Sequence, residues 1–213
     1  MKVTKFGHCC LLIEEGELRI LTDPGVFSEG FEGLENIDVI LITHEHRDHL
    51  HIDSLKVVLT HNPAVEVISN SAVGKLLEAA GIPYTVLEGT NITNRKGILI
   101  GAHDGKHGEI YEELGQVQNT GYLIAGKLFY PGDSFHNPGL AVEVLALPVA
   151  GPWCRIKDAI AYALLIKPKE AFPVHDGLIT KEALNVFHWS PKKVLGDAGI
   201  EFTPLGQGES LEF

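Results

Sequence analysis

A period-two alternation of apolar and polar residues opens the chain. Residues 2–6, 10–15 and 18–22 read as three short strands, with turns at Gly7 and at Glu15-Gly16-Glu17, the latter tight enough for a hairpin. Pro24 and Gly25 stop the third strand and leave Asp23 at its tip. The next run, Ile37-Asp38-Val39-Ile40-Leu41-Ile42, is almost continuously apolar and β-branched, the pattern of a strand buried on both faces. The period then lengthens. Residues 52–61 read as a short helix stopped by Asn62-Pro63, and Ser69-Asn70-Ser71 caps a second helix that runs to Ala80 and closes at Gly81. Strands are expected at 65–68, 84–87, 97–101, 128–130 and 142–149. Helix 154–166 follows, with Ile156, Ile160, Ala163 and Leu164 as its inward stripe. After Pro168, Ala171-Phe172-Pro173-Val174 runs as a strand into His175. Residues 180–199 read as one or two helices interrupted at Ser190-Pro191, and short strands at 200–204 and 209–213 close the chain. This order fits an α/β fold, an αβ/βα four-layer sandwich of two mixed β-sheets with helices outside, as a single domain over residues 1–213.

Composition narrows the partners. The 213 residues carry 17 basic and 28 acidic side chains, a net charge of −11, with no Lys/Arg-rich stretch. A nucleic-acid binder needs a basic face, so nucleic acid is excluded as the main partner. No apolar run of membrane-spanning length occurs, and Met1 to Phe6 lack the apolar core of a signal peptide. The expected setting is cytoplasmic, which suits Cys9, Cys10 and Cys154 as buried thiols. A small-molecule substrate is the expected partner, and a homo-oligomer is compatible with the sequence.

The chemistry concentrates in Thr43-His44-Glu45-His46-Arg47-Asp48-His49, directly after the doubly buried strand. His44 and His46, two apart, point to one side of an extended loop, while Asp48 and His49 turn towards a neighbouring point. That arrangement suits two adjacent cations, one on His44 and His46, the other on Asp48 and His49. Asp23, at the end of a strand expected to pair with 37–42, would accept a hydrogen bond from a ligand histidine. The polar cluster at 101–108 offers two further candidates, His103 and His107, and spacing alone does not choose between them.

The HxHxDH motif resembles that of the metallo-β-lactamase fold superfamily of metal-dependent hydrolases. Gly7-His8-Cys9-Cys10 and Leu21-Thr22-Asp23-Pro24-Gly25 resemble the opening of its ascorbate-6-phosphate lactonase-like branch. Essentially the whole chain is covered by the resemblance. In that branch a histidine precedes a segment like Asn119-Thr120-Gly121-Tyr122-Leu123-Ile124 by about the spacing of His107, which favours His107 over His103. Pro131-Gly132-Asp133 looks like the superfamily's Gly-Asp motif, which implies that Asp133 bridges both cations. The closing pattern over 143–176 assigns the final metal histidine to His175. The implied sites are therefore His44, His46, His107 and Asp133 for one cation, and Asp48, His49, His175 and Asp133 for the other, with Asp48 and Asp133 also catalytic. Five imidazoles, two carboxylates and no thiolate suit two divalent ions, zinc first and manganese next because the resembled lactonases use it.

The expected activity is hydrolysis of a small, anionic ester, lactone or phosphodiester by water activated between the cations, in a lactonase- or phosphodiesterase-type enzyme. His8, Lys106 and Trp153 are candidate substrate-binding residues, with His136 and Arg155 also near the expected rim. The competing readings are a non-catalytic metal-binding protein and an iron-dependent redox protein on the same fold.

Overall fold

The computed structural model describes residues 1–213. In chain order the elements are β1 (Lys2–Lys5), β2 (Leu11–Glu15), β3 (Leu18–Thr22), β4 (Val39–Leu41), α1 (Ile52–His61), β5 (Glu66–Ser69), α2 (Ser71–Ala79) and β6 (Thr85–Val86). The second half continues with β7 (Ile92–Arg95), β8 (Ile98–Lys106), β9 (Gln118–Ile124), β10 (Leu128–Tyr130), β11 (Val144–Pro148), α3 (Ile156–Ile166), β12 (Glu170–Val174), α4 (Lys181–Asp197), β13 (Glu201–Phe202) and β14 (Ser210–Glu212). Two seven-stranded sheets result, ordered β14-β1-β2-β3-β4-β5-β6 and β13-β12-β11-β10-β9-β8-β7. Each is mixed: β3 to β6 and β10 to β13 are parallel, and the remaining pairs are antiparallel.

The apolar strands explain the layers. In β4, Val39 and Leu41 enter the core between the sheets, while Ile40 and the adjoining Ile42 face the other way, against Leu55 and Val58 of α1 and Val73 and Leu77 of α2. In β11, Val144 and Ala146 share the inter-sheet core, and Leu145 and Leu147 meet Ala159, Tyr162 and Ala163 of α3. A strand covered on both faces needs apolar residues at successive positions, which is what both sequences contain. The result is the four-layer αβ/βα sandwich expected from the sequence.

Several details differ from the sequence reading. The β7–β8 hairpin was not foreseen, because β7 is largely exposed and its turn places Lys96, rather than the usual Asn or Gly, at φ 48° before Gly97 at φ 85°. Pairing with β9 carries β8 on to Lys106, so much of the polar cluster at 101–108 is strand rather than loop. Residues 181–197 form one helix with Pro191 inside it. Proline leaves one helical carbonyl without its donor, but Pro191 is buried with His188 and Leu195 on the inward face, so packing opposes that loss. On α3 the fully buried residues are Ala159, Tyr162 and Ala163, with Ile156, Ile160 and Leu164 only partly buried at the flanks of that face.

Direction of the strands places the site. β1, β3 and β4 run one way in the first sheet, and β8, β10, β11 and β12 run one way in the second. The residues that follow β1, β3, β4, β8, β10 and β12 include His8, Asp23, His44 to His49, His107, Asp133 and His175.

Candidate metal centre

The loop after β4 is held from beneath by one buried carboxylate. Asp23 Oδ1 accepts from the Thr43 amide at 2.8 Å, and Oδ2 accepts from Thr43 Oγ1 at 2.7 Å and from Tyr130 Oη at 2.6 Å. His49 Nδ1 lies 2.7 Å from the same Oδ2. A carboxylate accepts only, so His49 donates from Nδ1 and keeps a bare Nε2. Thr43 Oγ1 gives its hydrogen to Asp23 and so accepts from His44 Nδ1 at 3.0 Å, which bares His44 Nε2 as well. His107 Nδ1 donates to the Gly108 carbonyl at 2.8 Å, with the same consequence. Asp23 was expected to orient a ligand histidine; Thr43 and Tyr130 carried no signal in the sequence, since a strand-end threonine and a core tyrosine are ordinary.

Close approach fixes two glycines. A Cβ on Gly25 would lie 1.8 Å from the Asp48 carbonyl oxygen, so the Asp-Pro-Gly turn packs directly under the metal loop. Gly132 has φ 64°, and a Cβ there would lie 2.4 Å from Asn119 Oδ1. That Asn119 oxygen accepts from the Asp133 amide at 3.0 Å, while its Nδ2 donates to the Pro131 carbonyl at 2.9 Å, clamping the turn that presents Asp133.

Asp133 stands between two groups of side chains. The ligating atoms of His44, His46, His107 and Asp133 lie within 4.8 Å of one another, and so do those of Asp48, His49, Asp133 and His175. Asp133 Oδ1 is 3.0 Å from His49 Nε2; Oδ2 is 3.0 Å from His175 Nε2, 3.5 Å from His107 Nε2 and 3.8 Å from His44 Nε2. Trp153 Nε1 donates to Oδ2 at 2.8 Å. The Nε2 atoms of His44, His49, His107 and His175 and Asp133 Oδ1 are buried and make no hydrogen bond. Five orphaned polar atoms converging on one small space are costly unless something binds them. Bare imidazole nitrogens around a carboxylate, several oriented by a further hydrogen bond, fit divalent cations.

Electrostatics agree. Burial pushes the His44 imidazole well below its ordinary pKa, aided by the neighbouring charge of His49. Burial acts the same way on His175, but the Asp133 carboxylate outweighs it and holds the pKa well above the ordinary value. For Asp133, burial would raise the pKa, and the charges of His175 and His49 reverse this and hold it well below the carboxylate range. Asp48 is likewise held low, burial being outweighed by the His175 and His8 imidazoles beside its carboxylate. His8 is lowered to about 4 by burial.

The other sequence candidates are dispersed. His103 lies in an apolar groove with Ile92, Leu99, Leu123 and Leu140, edge-on to Phe129 and away from the ligand groups. Lys106 is exposed. Arg155 pairs with Asp158 at the start of α3. The His136 amide donates to Ser134 Oγ, and its carbonyl accepts from Tyr162. Trp153 has its one polar atom committed to Asp133, and His8 is fully buried rather than at a rim.

Comparison with known proteins gives this geometry a family. Residues 2–175 match the family described as Beta-lactamase superfamily domain. Protein Rv0786c of Mycobacterium tuberculosis is 35% identical over 193 residues, covering 88% of this chain and 90% of its own. A UPF0173 metal-dependent hydrolase of Carboxydothermus hydrogenoformans is 27% identical over 231 residues, covering 99% of each chain. Among solved structures, Igni18, a metallo hydrolase from Ignicoccus hospitalis, superposes with a TM-score of 0.77 at 23% identity, covering 100% of this chain and 98% of its own. The chain therefore belongs to the β-lactamase superfamily domain family, among the metal-dependent hydrolases of the metallo-β-lactamase fold.

Proposed function

We propose that the chain hydrolyses a small ester, lactone or phosphodiester at two divalent cations. His44, His46 and His107 would hold the first, Asp48, His49 and His175 the second, and Asp133 would serve both. The observation that carries this reading is the pair of candidate ligand groups sharing Asp133, with the Nε2 atoms of His44, His49, His107 and His175 buried and without a hydrogen bond. When bound, the cations would supply the Lewis acidity that activates water and polarises the scissile bond.

The chain's own residues supply orientation and access. Asp48 and His46 are the two residues of the set that keep contact with solvent, so substrate approaches from their side. Asp48, the more exposed of the two carboxylates, would hold the attacking water by a hydrogen bond. Trp153 fixes the Asp133 carboxylate from one side while Asn119 fixes its backbone. Nucleophilic attack by a side chain is disfavoured. Burial pushes the Cys10 thiol well up and the Cys154 thiol up to about 12, so neither is a thiolate at neutral pH. With Arg155 turned to Asp158, selectivity for an anionic substrate would come chiefly from the cations themselves. The nitrogen-rich, thiolate-free donor set favours zinc, then manganese. Three unpaired cysteines suit a reducing, cytoplasmic setting.

The test is a hydrolysis screen over lactones, phosphodiesters and thioesters with chelated protein, before and after Zn²⁺ or Mn²⁺ is restored. Metal-dependent turnover of an ester-type substrate is expected. A fully metallated protein inert across the screen would leave the non-catalytic reading, and redox-active iron as the native metal would favour the redox one.

A further inference from the structure

We propose that His8 is a positioning residue for Asp48, acting as a fixed hydrogen-bond donor and not as a metal ligand. The role rests on the two-cation reading above and adds to it a residue outside the seven ligands. His8 is fully buried and sits at the turn between β1 and β2, on the opposite sheet from the strand that delivers His175. Two hydrogen bonds join it to the loop after β12: the His175 amide donates to the His8 carbonyl at 2.9 Å, and the Gly177 amide donates to His8 Nδ1 at 3.0 Å. Gly177 is pressed against the ring's base, since a Cβ there would lie 2.9 Å from His8 Cβ.

The second bond decides the tautomer. A backbone N–H only donates, so Nδ1 is the bare nitrogen and a neutral ring carries its hydrogen on Nε2. Nε2 is buried without a well-formed hydrogen bond and lies 3.4 Å from Asp48 Oδ2. The same oxygen is 3.5 Å from His175 Nε2. One carboxylate oxygen therefore faces an N–H on one side and a ligand imidazole on the other. Closing the 3.4 Å gap from His8 by a few tenths of an ångström would complete the bond, as such contacts tighten when a site fills. His8, Cys9, His49 and His175 also lie within 4.8 Å of one another and would make a rival metal site. The Gly177 bond argues against it, because an Nε2 that carries hydrogen has no lone pair for a cation.

Long-range ¹H–¹⁵N correlation of the histidine rings, on the full chain without metal and with two equivalents of Zn²⁺, reads the tautomer directly. The expected result is an Nε2–H signature for His8 in both states. An Nδ1–H form, or an Nε2 shift characteristic of zinc ligation, would overturn the proposal. Competitive chelator titration then reads affinity. His8→Ala should weaken the second Zn²⁺ by about 10-fold, the lower end for loss of a ligand-orienting partner, and leave the first equivalent unchanged. His8→Gln, which retains an amide N–H, should recover most of that loss. Wild type binding two equivalents with His8→Ala unchanged in both would sink the positioning role alone. Wild type saturating at one equivalent would overturn the two-cation reading, and this role with it.

Discussion

Asp133 stands in both candidate ligand groups, so on the two-cation reading its replacement has consequences that private ligands would not share. Asp133→Asn keeps the shape and removes the negative charge, so it should depress binding of both cations, whereas Asp48→Asn should mainly empty the site of His49 and His175. Metal stoichiometry after dialysis separates the two, and equal mild losses would contradict a shared Asp133. The same assay applied to His107→Ala and His103→Ala should find metal lost only in the first, since His103 lies in an apolar groove away from the ligand groups. Protons compete for this site. The raised pKa of His175 means that its metal-free ring holds a proton to higher pH than an ordinary histidine, and a cation must expel it. Zinc affinity should therefore rise with pH through and above the ordinary histidine range, as a pH series of chelator competitions would show. A flat profile would contradict it. At this scale the local grouping was legible, because His44, His46, Asp48 and His49 are spaced along one loop, and the structure brings them together around Asp133. Spacing alone did not separate His107 from His103, and only the family resemblance favoured His107, because the choice depends on where β8 ends. Pairing with β9 decides that, at a distance in sequence.

Elements are tied together near the site by a buried ion pair. Lys5, at the end of β1, bonds Asp176 and the Pro173 carbonyl, and His188 of α4 lies 3.0 Å from the other Asp176 oxygen. The cluster joins the first sheet, the loop that carries His175, and the last long helix. Burial would raise the Asp176 pKa, but the bond from His188 and the charge of Lys5 outweigh it and hold the carboxyl below its ordinary value. The sign follows: a carboxyl depressed on folding stabilises the protein above its unfolded pKa, and that contribution is lost as pH falls through the folded value. Lys5→Met breaks the pair and should destabilise the protein by about 3–5 kcal/mol at neutral pH, less at pH 4, where the variant's Asp176, buried without its lysine, takes up a proton. Urea unfolding at pH 7 and at pH 4 checks both halves, and an equal loss at the two pH values would rule out the ion pair as its cause. None of this was readable beforehand. The strand at 2–6 and the helix at 180–199 were, but a lysine at a strand end ordinarily faces water, and only the closing of the two sheets buries it.

Over the whole molecule, the apolar runs at Val39–Leu41 and Val144–Pro148 were the most legible feature, because a strand covered on both faces has no other pattern to adopt. Two such strands, each with helices following, required two sheets with helices outside, and the candidate ligands collect where strands of both sheets end. The weakly apolar hairpin of Ile92–Arg95 was invisible for the opposite reason: largely exposed, it has no buried face to record in sequence. What the assembled edge does is tested most directly by titrating metal-free protein with Zn²⁺ while following hydrolysis of an ester or phosphodiester taken from the screen. The two-cation account predicts no turnover after chelation, full activity only as the second equivalent binds, and loss of that activity in Asp133→Asn. Turnover that survives chelation, or that is complete at one equivalent, would contradict it.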